Sequence, residues 1–141
     1  MNQQSPMIVV ALYVRGYELD PLHVTRLLGV TPTRSSRKGE KTVSVTNKEV
    51  FSRAGLWVLS SDADSDNVSD HIDTLLEKLK NNPKSISSIS GVEEAFVDIF
   101  IAASSDDDGS SSTSFGLSAD TLSSLSTLGL PVQITVSAGS D

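Results

Sequence analysis

Apolar positions along the chain recur with two spacings, and each switch between them marks a strand giving way to a helix or the reverse. Met7 to Arg15 (MIVVALYVR) is apolar on both alternating sets, with Ile8, Val10, Leu12 and Val14 on one and Val9, Ala11 and Tyr13 on the other. A β-branched run that is greasy on both pleat faces suits a central strand rather than an edge. A helix is predicted next, from Asp20 to about Leu28. The Asp20 carboxylate is placed to accept first-turn N–H groups. Pro21 falls at the first helical position, where its missing N–H would be unpaired anyway. Leu22, Val24, Leu27 and Leu28 form the apolar stripe, and Gly29 stands where a left-handed residue ends a helix.

From Thr31 to Arg53 the pattern breaks. Pro32 blocks a helix, Gly39 invites a turn, and Thr42 to Val45 alternates like a short strand. Leu56 to Ser60, which includes Trp57, reads as a clearer strand. Asp62 to Asn67 is a charged turn, and Asn67 or Ser69 can cap a helix running to about Asn82. Within it Ile72, Leu75, Leu76 and Leu79 recur at helical spacing, and Pro83 lies just past the end. Asp70, Asp73 and Glu77 in its first half and Lys78 and Lys80 near its end match the helix dipole. Ile86 and Ile89 plug the connection to a strand over Glu94 to Ala103. There Ala95, Val97, Ile99 and Ile101 oppose Phe96, Asp98 and Phe100. Residues 105–114, including the low-complexity run DDDGSSSTS, are expected to form a flexible loop, and residues 1–6 and 138–141 to fray. The first helical device then recurs. Ser118 caps a helix with Leu122, Leu125 and Leu128 on its stripe, Gly129 closes it, and Pro131 opens a last strand with Val132, Ile134 and Val136 on one face.

The order strand–helix–strand–strand–helix–strand, followed by helix–strand, implies one α+β domain. It is a ferredoxin-like split βαβ with an added αβ unit, built on a mostly antiparallel sheet with its helices gathered on one face.

The pattern LDP, then LLGVTPT, then a glycine inside a basic loop, then Trp57, then the late LS…LG helix resembles a bacterial domain-of-unknown-function family over roughly Val10 to Val136. The resemblance implies an α+β fold and supplies no catalytic residues. Some members lie in toxin-immunity neighbourhoods, so it further implies a protein that neutralises a partner.

Composition narrows the chemistry. The 141 residues carry a formal net charge of −7 and no cysteine, which excludes disulfides, thiol nucleophiles and thiolate metal sites. An acidic chain with a pI near 4.7 does not attract nucleic acid or anionic lipid, and it favours basic partners. The longest N-terminal apolar run is too short to span a bilayer and lacks the flanks of a signal peptide, so a cytoplasmic protein is expected. There is no nucleophile elbow, and the two histidines, His23 and His71, are both expected to be solvated. Asp62, Asp64, Asp66, Asp70 and Asp73 are spaced like a calcium loop. That loop, however, follows a strand, has asparagine where the sharp turn needs glycine, and ends in Asp rather than Glu. An acidic turn feeding a helix N-terminus accounts for it, and no metal or cofactor is assigned.

The expected function is therefore a non-catalytic protein-binding domain: an immunity protein that occludes the active site of a basic toxin domain. Its partner-binding residues would be Asp62, Asp64, Asp66, Asp70, Asp106, Asp107 and Asp108 for steering, with Tyr13, Phe96 and Phe100 as aromatic anchors. The three aromatics share the pleat face opposite the aliphatic stripes; either they form an uncovered patch or the Thr31–Arg53 segment covers them. The alternative is a phosphate-ligand or nucleic-acid sensor using Arg34, Arg37, Lys38 and Arg53. That segment lacks the interleaved aromatics and glycine cradle such sites use. The sequence leaves homo-oligomerisation open.

Overall fold

A computed structural model describes residues 7–43, 46–61, 63–79, 85–104 and 114–139. The elements are β1 (Met7–Gly16), α1 (Pro21–Leu28), β2 (Arg34–Ser36), β3 (Lys41–Val43), β4 (Glu49–Phe51), β5 (Gly55–Ser60), α2 (Val68–Leu79), a 3₁₀ turn (Ile86–Ser88), β6 (Glu94–Ser104), α3 (Ala119–Ser126) and β7 (Val132–Gly139). Of the expected flexible loop 105–114, residues 105–113 lie outside the described residues, as do residues 1–6 and 140–141 of the ends expected to fray, whereas Ala138 and Gly139 complete β7.

Five strands form one sheet in the order β2-β5-β1-β6-β7, while β3 and β4 pair as a separate hairpin. β1 runs antiparallel to both β5 and β6, and β2 antiparallel to β5. Strands β5 and β6 therefore run parallel with β1 inserted between them, and α2 makes the crossover. In the same way β1 and β2 run parallel around β5, with α1 between them in sequence. Two interlocked split βαβ units are the ferredoxin-like arrangement. The added unit is α3–β7, with β7 parallel to β6.

One strand differs from the expectation. The stretch expected over Thr42–Val45 does begin as a strand, β3, but in the separate hairpin, with Ser44 and Val45 outside the described residues; the second strand of the first unit is Arg34–Ser36. Thr33 fixes it on the sheet: its N–H donates to the Val58 carbonyl at 2.7 Å, and its hydroxyl accepts the Ser60 N–H at 2.8 Å. Gly39, at φ +84°, then turns the chain out of the sheet plane. The β3–β4 hairpin hangs from that turn by paired bonds between Gly39, Glu40 and Ser52.

The core lies between the sheet and the helices. Ile8, Val10, Leu12 and Val14 of β1, Trp57 and Leu59 of β5, and Val97, Ile99 and Ile101 of β6 are all buried. They meet Val24 and Leu28 of α1, Val68, Ile72, Leu75 and Leu79 of α2, and Leu125 of α3. Removing each such side chain from water contributes about 1.5–3 kcal/mol, so this single layer dominates the stability. The caps form as the sequence implies: Asp20 accepts the Leu22 N–H, and Ser118 accepts the Thr121 N–H. Asn67 rather than Ser69 caps α2, accepting the Ser69 N–H.

The helices do not close the whole aliphatic face. On β7, Val132, Ile134 and Val136 remain 41%, 50% and 56% exposed. Helix α3 buries Thr121 and Leu125, packs against α2 and leaves the outermost strand bare. Among the described residues no helix is long and apolar enough to cross a membrane.

Candidate functional site

The face of the sheet opposite the helices is built by the odd positions of β1 and their cross-strand partners. Register places Tyr13 beside Phe96 on one flank and Val58 on the other, and Val9 beside Phe100. The Tyr13 and Phe96 rings stack with centroids 5.2 Å apart and planes 6° from parallel. The guanidinium of Arg34, one strand further out, lies 5.9 Å from the Tyr13 centroid, within cation–π range. Tyr13, Phe96 and Phe100 are all half-buried. The half-burial falls between the two arrangements open from sequence, a bare patch and one covered by the 31–53 segment, and from that segment Arg34 lies over the Tyr13 ring. Ala11 and Val58, at 3% and 1% exposure, form the floor. The rim is polar. Thr135 donates a hydrogen bond to Asp98 at 2.9 Å, and Arg15 pairs with Glu94 at 3.3 Å.

The acidic turn sits at one end of this sheet. Asp64 and Asp66 are exposed and flank an open cleft of about 510 Å³ between the turn and Met7–Ile8 at the start of β1. Asp70 is also exposed, and its carboxylate accepts the Ser65 hydroxyl at 2.6 Å. Ser65 in turn accepts the Asn67 N–H, so the turn's oxygens are largely engaged in shaping the start of α2. Among the described residues no three His, Asp or Glu side chains converge as a cation site requires. Asp62, Asp106, Asp107 and Asp108 lie outside the described residues.

Both histidine expectations are corrected. His23 is half-buried, and His71 is 3% exposed on the floor of the cleft. The His71 ring bridges two partners: Nε2 lies 2.7 Å from the Ser65 carbonyl, and Nδ1 lies 2.9 Å from the Ser61 hydroxyl. A carbonyl only accepts, so Nε2 carries a proton and donates to Ser65, while the Ser61 hydroxyl can serve Nδ1 as donor or acceptor. The ring thus ties the end of β5 to the turn that leads into α2. The signal for its burial was in the helix pattern, since His71 lies on the stripe of Val68, Ile72, Leu75 and Leu79, all of them buried.

The basic segment folds back onto the start of α1. Arg37 pairs with Asp20 at 3.1 Å and Lys38 with Glu18 at 2.6 Å. Lys38 also lies 3.9 Å from the centroid of the Tyr17 ring. The hydrogen bond that the Lys38 ammonium donates to Glu18 holds its pKa above the ordinary value of 10.5, against a smaller opposing effect of desolvation. Arg34 stacks on Tyr13, and Arg53 is exposed. The four cations therefore do not converge on one anion site: two are engaged by carboxylates and a third by an aromatic ring. These side chains were visible in the sequence, but their pairing with residues near twenty was not.

A family model described as a domain of unknown function (DUF4279) matches residues 6–139. No curated protein and no solved structure matches the chain.

Proposed function

The chain belongs to the DUF4279 family, and from that starting point we propose that it is a non-catalytic protein-binding domain whose recognition surface is the helix-free face of its sheet. The observation that carries this reading is the Tyr13–Phe96 stack on that face. An antiparallel sheet with helices on one side ordinarily turns polar residues to the other. Here the second side carries three aromatics around an aliphatic floor and a polar rim, the anatomy of a binding hot spot.

The partner class follows from charge. A net charge of −7, exposed carboxylates at Asp64, Asp66 and Asp70, and cations already engaged by Asp20, Glu18 and Tyr13 favour a basic protein. The specific form of the proposal is an immunity protein that covers the cationic active-site face of a toxin domain. The acidic turn would steer the encounter and the aromatics would hold the complex. The engaged cations of the Arg34–Arg53 segment weigh against the phosphate-binding alternative.

Sequencing the genes beside its own and co-producing the chain with any toxic domain they encode tests this; neighbouring genes that encode no such domain would overturn the immunity form of the proposal. The wild-type chain is expected to restore growth and to bind the toxin in surface plasmon resonance. Tyr13→Ala with Phe100→Ala is expected to raise the dissociation rate by about a hundredfold. Asp64→Lys with Asp66→Lys is expected to slow association and flatten its salt dependence. Loss of neither protection nor affinity in the aromatic variant would overturn the assignment of the sheet face. Association rates indifferent to salt would overturn the steering.

A further inference from the structure

β7 is one margin of the five-stranded sheet, and among the described residues no strand pairs with its outer side. It is eight residues long, VQITVSAG, with no charge and no proline. Its register with β6 runs without a skipped residue, so it carries no bulge. Soluble proteins ordinarily protect a free margin with one of those devices, because a row of open N–H and C=O groups invites another strand. The opposite margin shows such protection: β2 has three residues and opens with Arg34. On the helical side, Val132, Ile134 and Val136 lie in register with the buried Val97, Ile99 and Ile101, yet each is 41% to 56% exposed. The hydrophobic layer of the sheet thus continues past its last covered strand.

We infer that β7 is the seam of a homodimer in which the sheets of two copies join edge to edge. The occupant is a second copy for two reasons. The first is parity: two β7 strands pairing antiparallel about a two-fold axis at Thr135 place Ile134 of one copy opposite Val136 of the other, and Gln133 opposite Ser137. Directly opposed residues share a face, so both aliphatic stripes merge on the helical side and both polar stripes on the other. The second is charge. A chain of net charge −7 meets its own copy with least repulsion where it carries no carboxylate, and an uncharged seam offers nothing to select a basic partner. Eight residues of pairing bury on the order of 1,000 Å² over both copies, near the lower bound of specific interfaces, so the dimer is expected to be weak and concentration-dependent. The seam meets the aromatic face only at its rim, through Thr135, while Ile134 and Val136 lie on the helical side, so the lysine substitutions there test the dimer without touching the aromatics.

The test is sedimentation velocity and light scattering from about 1 µM to a few hundred µM. The expected mass rises with concentration from 14.9 kDa toward twice that value. Ile134→Lys with Val136→Lys is expected to stay monomeric, with unchanged circular dichroism because both positions are already half exposed. The added lysines lower the overall negative charge, so lost association reports the seam rather than general repulsion. The chain has no cysteine, so a single introduced thiol is a clean probe. Thr135→Cys, at the axis, is expected to form a disulfide dimer on mild oxidation, while Leu22→Cys on α1 is not. A chain that stays monomeric throughout, a dimer that survives the lysine substitutions, or cross-linking as efficient at Leu22 would overturn the inference.

Discussion

Replacing Thr25 by valine isolates one hydrogen bond that fastens α1 to the sheet. Trp57 is fully buried, and its indole N–H donates to the Thr25 hydroxyl at 3.0 Å. Valine keeps the shape and β-branching of threonine, so the helix and its packing survive while the acceptor disappears. The indole N–H is then left buried without a partner, which costs about 1–3 kcal/mol. Thr25 is half-buried, and water admitted along it would hold the loss near the lower end. For a chain of this length the melting temperature should fall by about 3 °C per kcal/mol. A cycle with Trp57→Phe separates the bond from the packing. Phenylalanine removes the donor and part of the ring, so alone it costs about 2–3 kcal/mol through the cavity it leaves. In that background Thr25→Val should be nearly neutral, because no donor remains to be orphaned. Urea unfolding followed by far-UV circular dichroism gives all four corners, and it must be used because Trp57 is the only tryptophan. An equal cost of Thr25→Val in both backgrounds would refute the reasoning.

Three further outcomes follow from particular contacts. A Cβ at Gly16 would lie 1.8 Å from the Gly91 carbonyl oxygen, backbone against backbone. Gly16→Ala should therefore destabilise by about 3 kcal/mol or more, and Gly29→Ala, strained in φ but with open space around it, by about 1–2 kcal/mol; thermal melts of the pair check the order. His71→Leu keeps the buried volume but loses both the Ser61 and Ser65 bonds. It should cost about 1–3 kcal/mol in urea unfolding, with amide exchange rising first at residues 63–67. Lys38 should titrate above its ordinary 10.5 by NMR and return toward it in Glu18→Gln. Because its folded value is the raised one, its small stabilisation is fully present below the unfolded value and disappears as pH climbs through the folded one.

The elements that could be read from sequence are those whose signal is local. Asp20, Pro21 and Gly29 bound α1 through groups within a few residues of one another, and the strands β1, β5 and β6 announce themselves by β-branched runs. The split βαβ topology followed from the order of those elements. The edge strand was misplaced because Arg34–Ser36 has no alternation of its own. Its strand character comes from Val58 and Ser60, which pair with it from more than twenty residues away. Non-local contact likewise hid the Ser61–His71 bond and the pairing of Arg37 and Lys38 with Asp20 and Glu18, none of which a local pattern signals. The exposure of Val132, Ile134 and Val136 was invisible for another reason. An alternating strand reads identically whether a helix lies over it or stops one strand short.

The two bare surfaces have a common origin in β1. A strand that is apolar on both pleat faces belongs, by composition, in a sheet covered on both sides. The described residues include three α-helices, and all pack on the side of Ile8, Val10, Leu12 and Val14. The other side of the sheet is left to make a second layer from side chains alone. Val58 reaches full burial between Tyr13 and Arg34 in register, and Tyr13 in turn lies flat against Phe96. A stack of half-buried rings over a buried aliphatic floor is a layer one side chain thick. It shields the backbone but leaves ring faces and edges at the surface, where a partner gains by covering them. β7 repeats the problem at the margin, where the covered side outruns its helices. The requirement for more covering layer than the chain provides was therefore written in the hydrophobic pattern of β1 and β7. The folded arrangement decides where that requirement stays unmet: at the aromatic face for a partner of different sequence, and at the uncharged strand for a second copy.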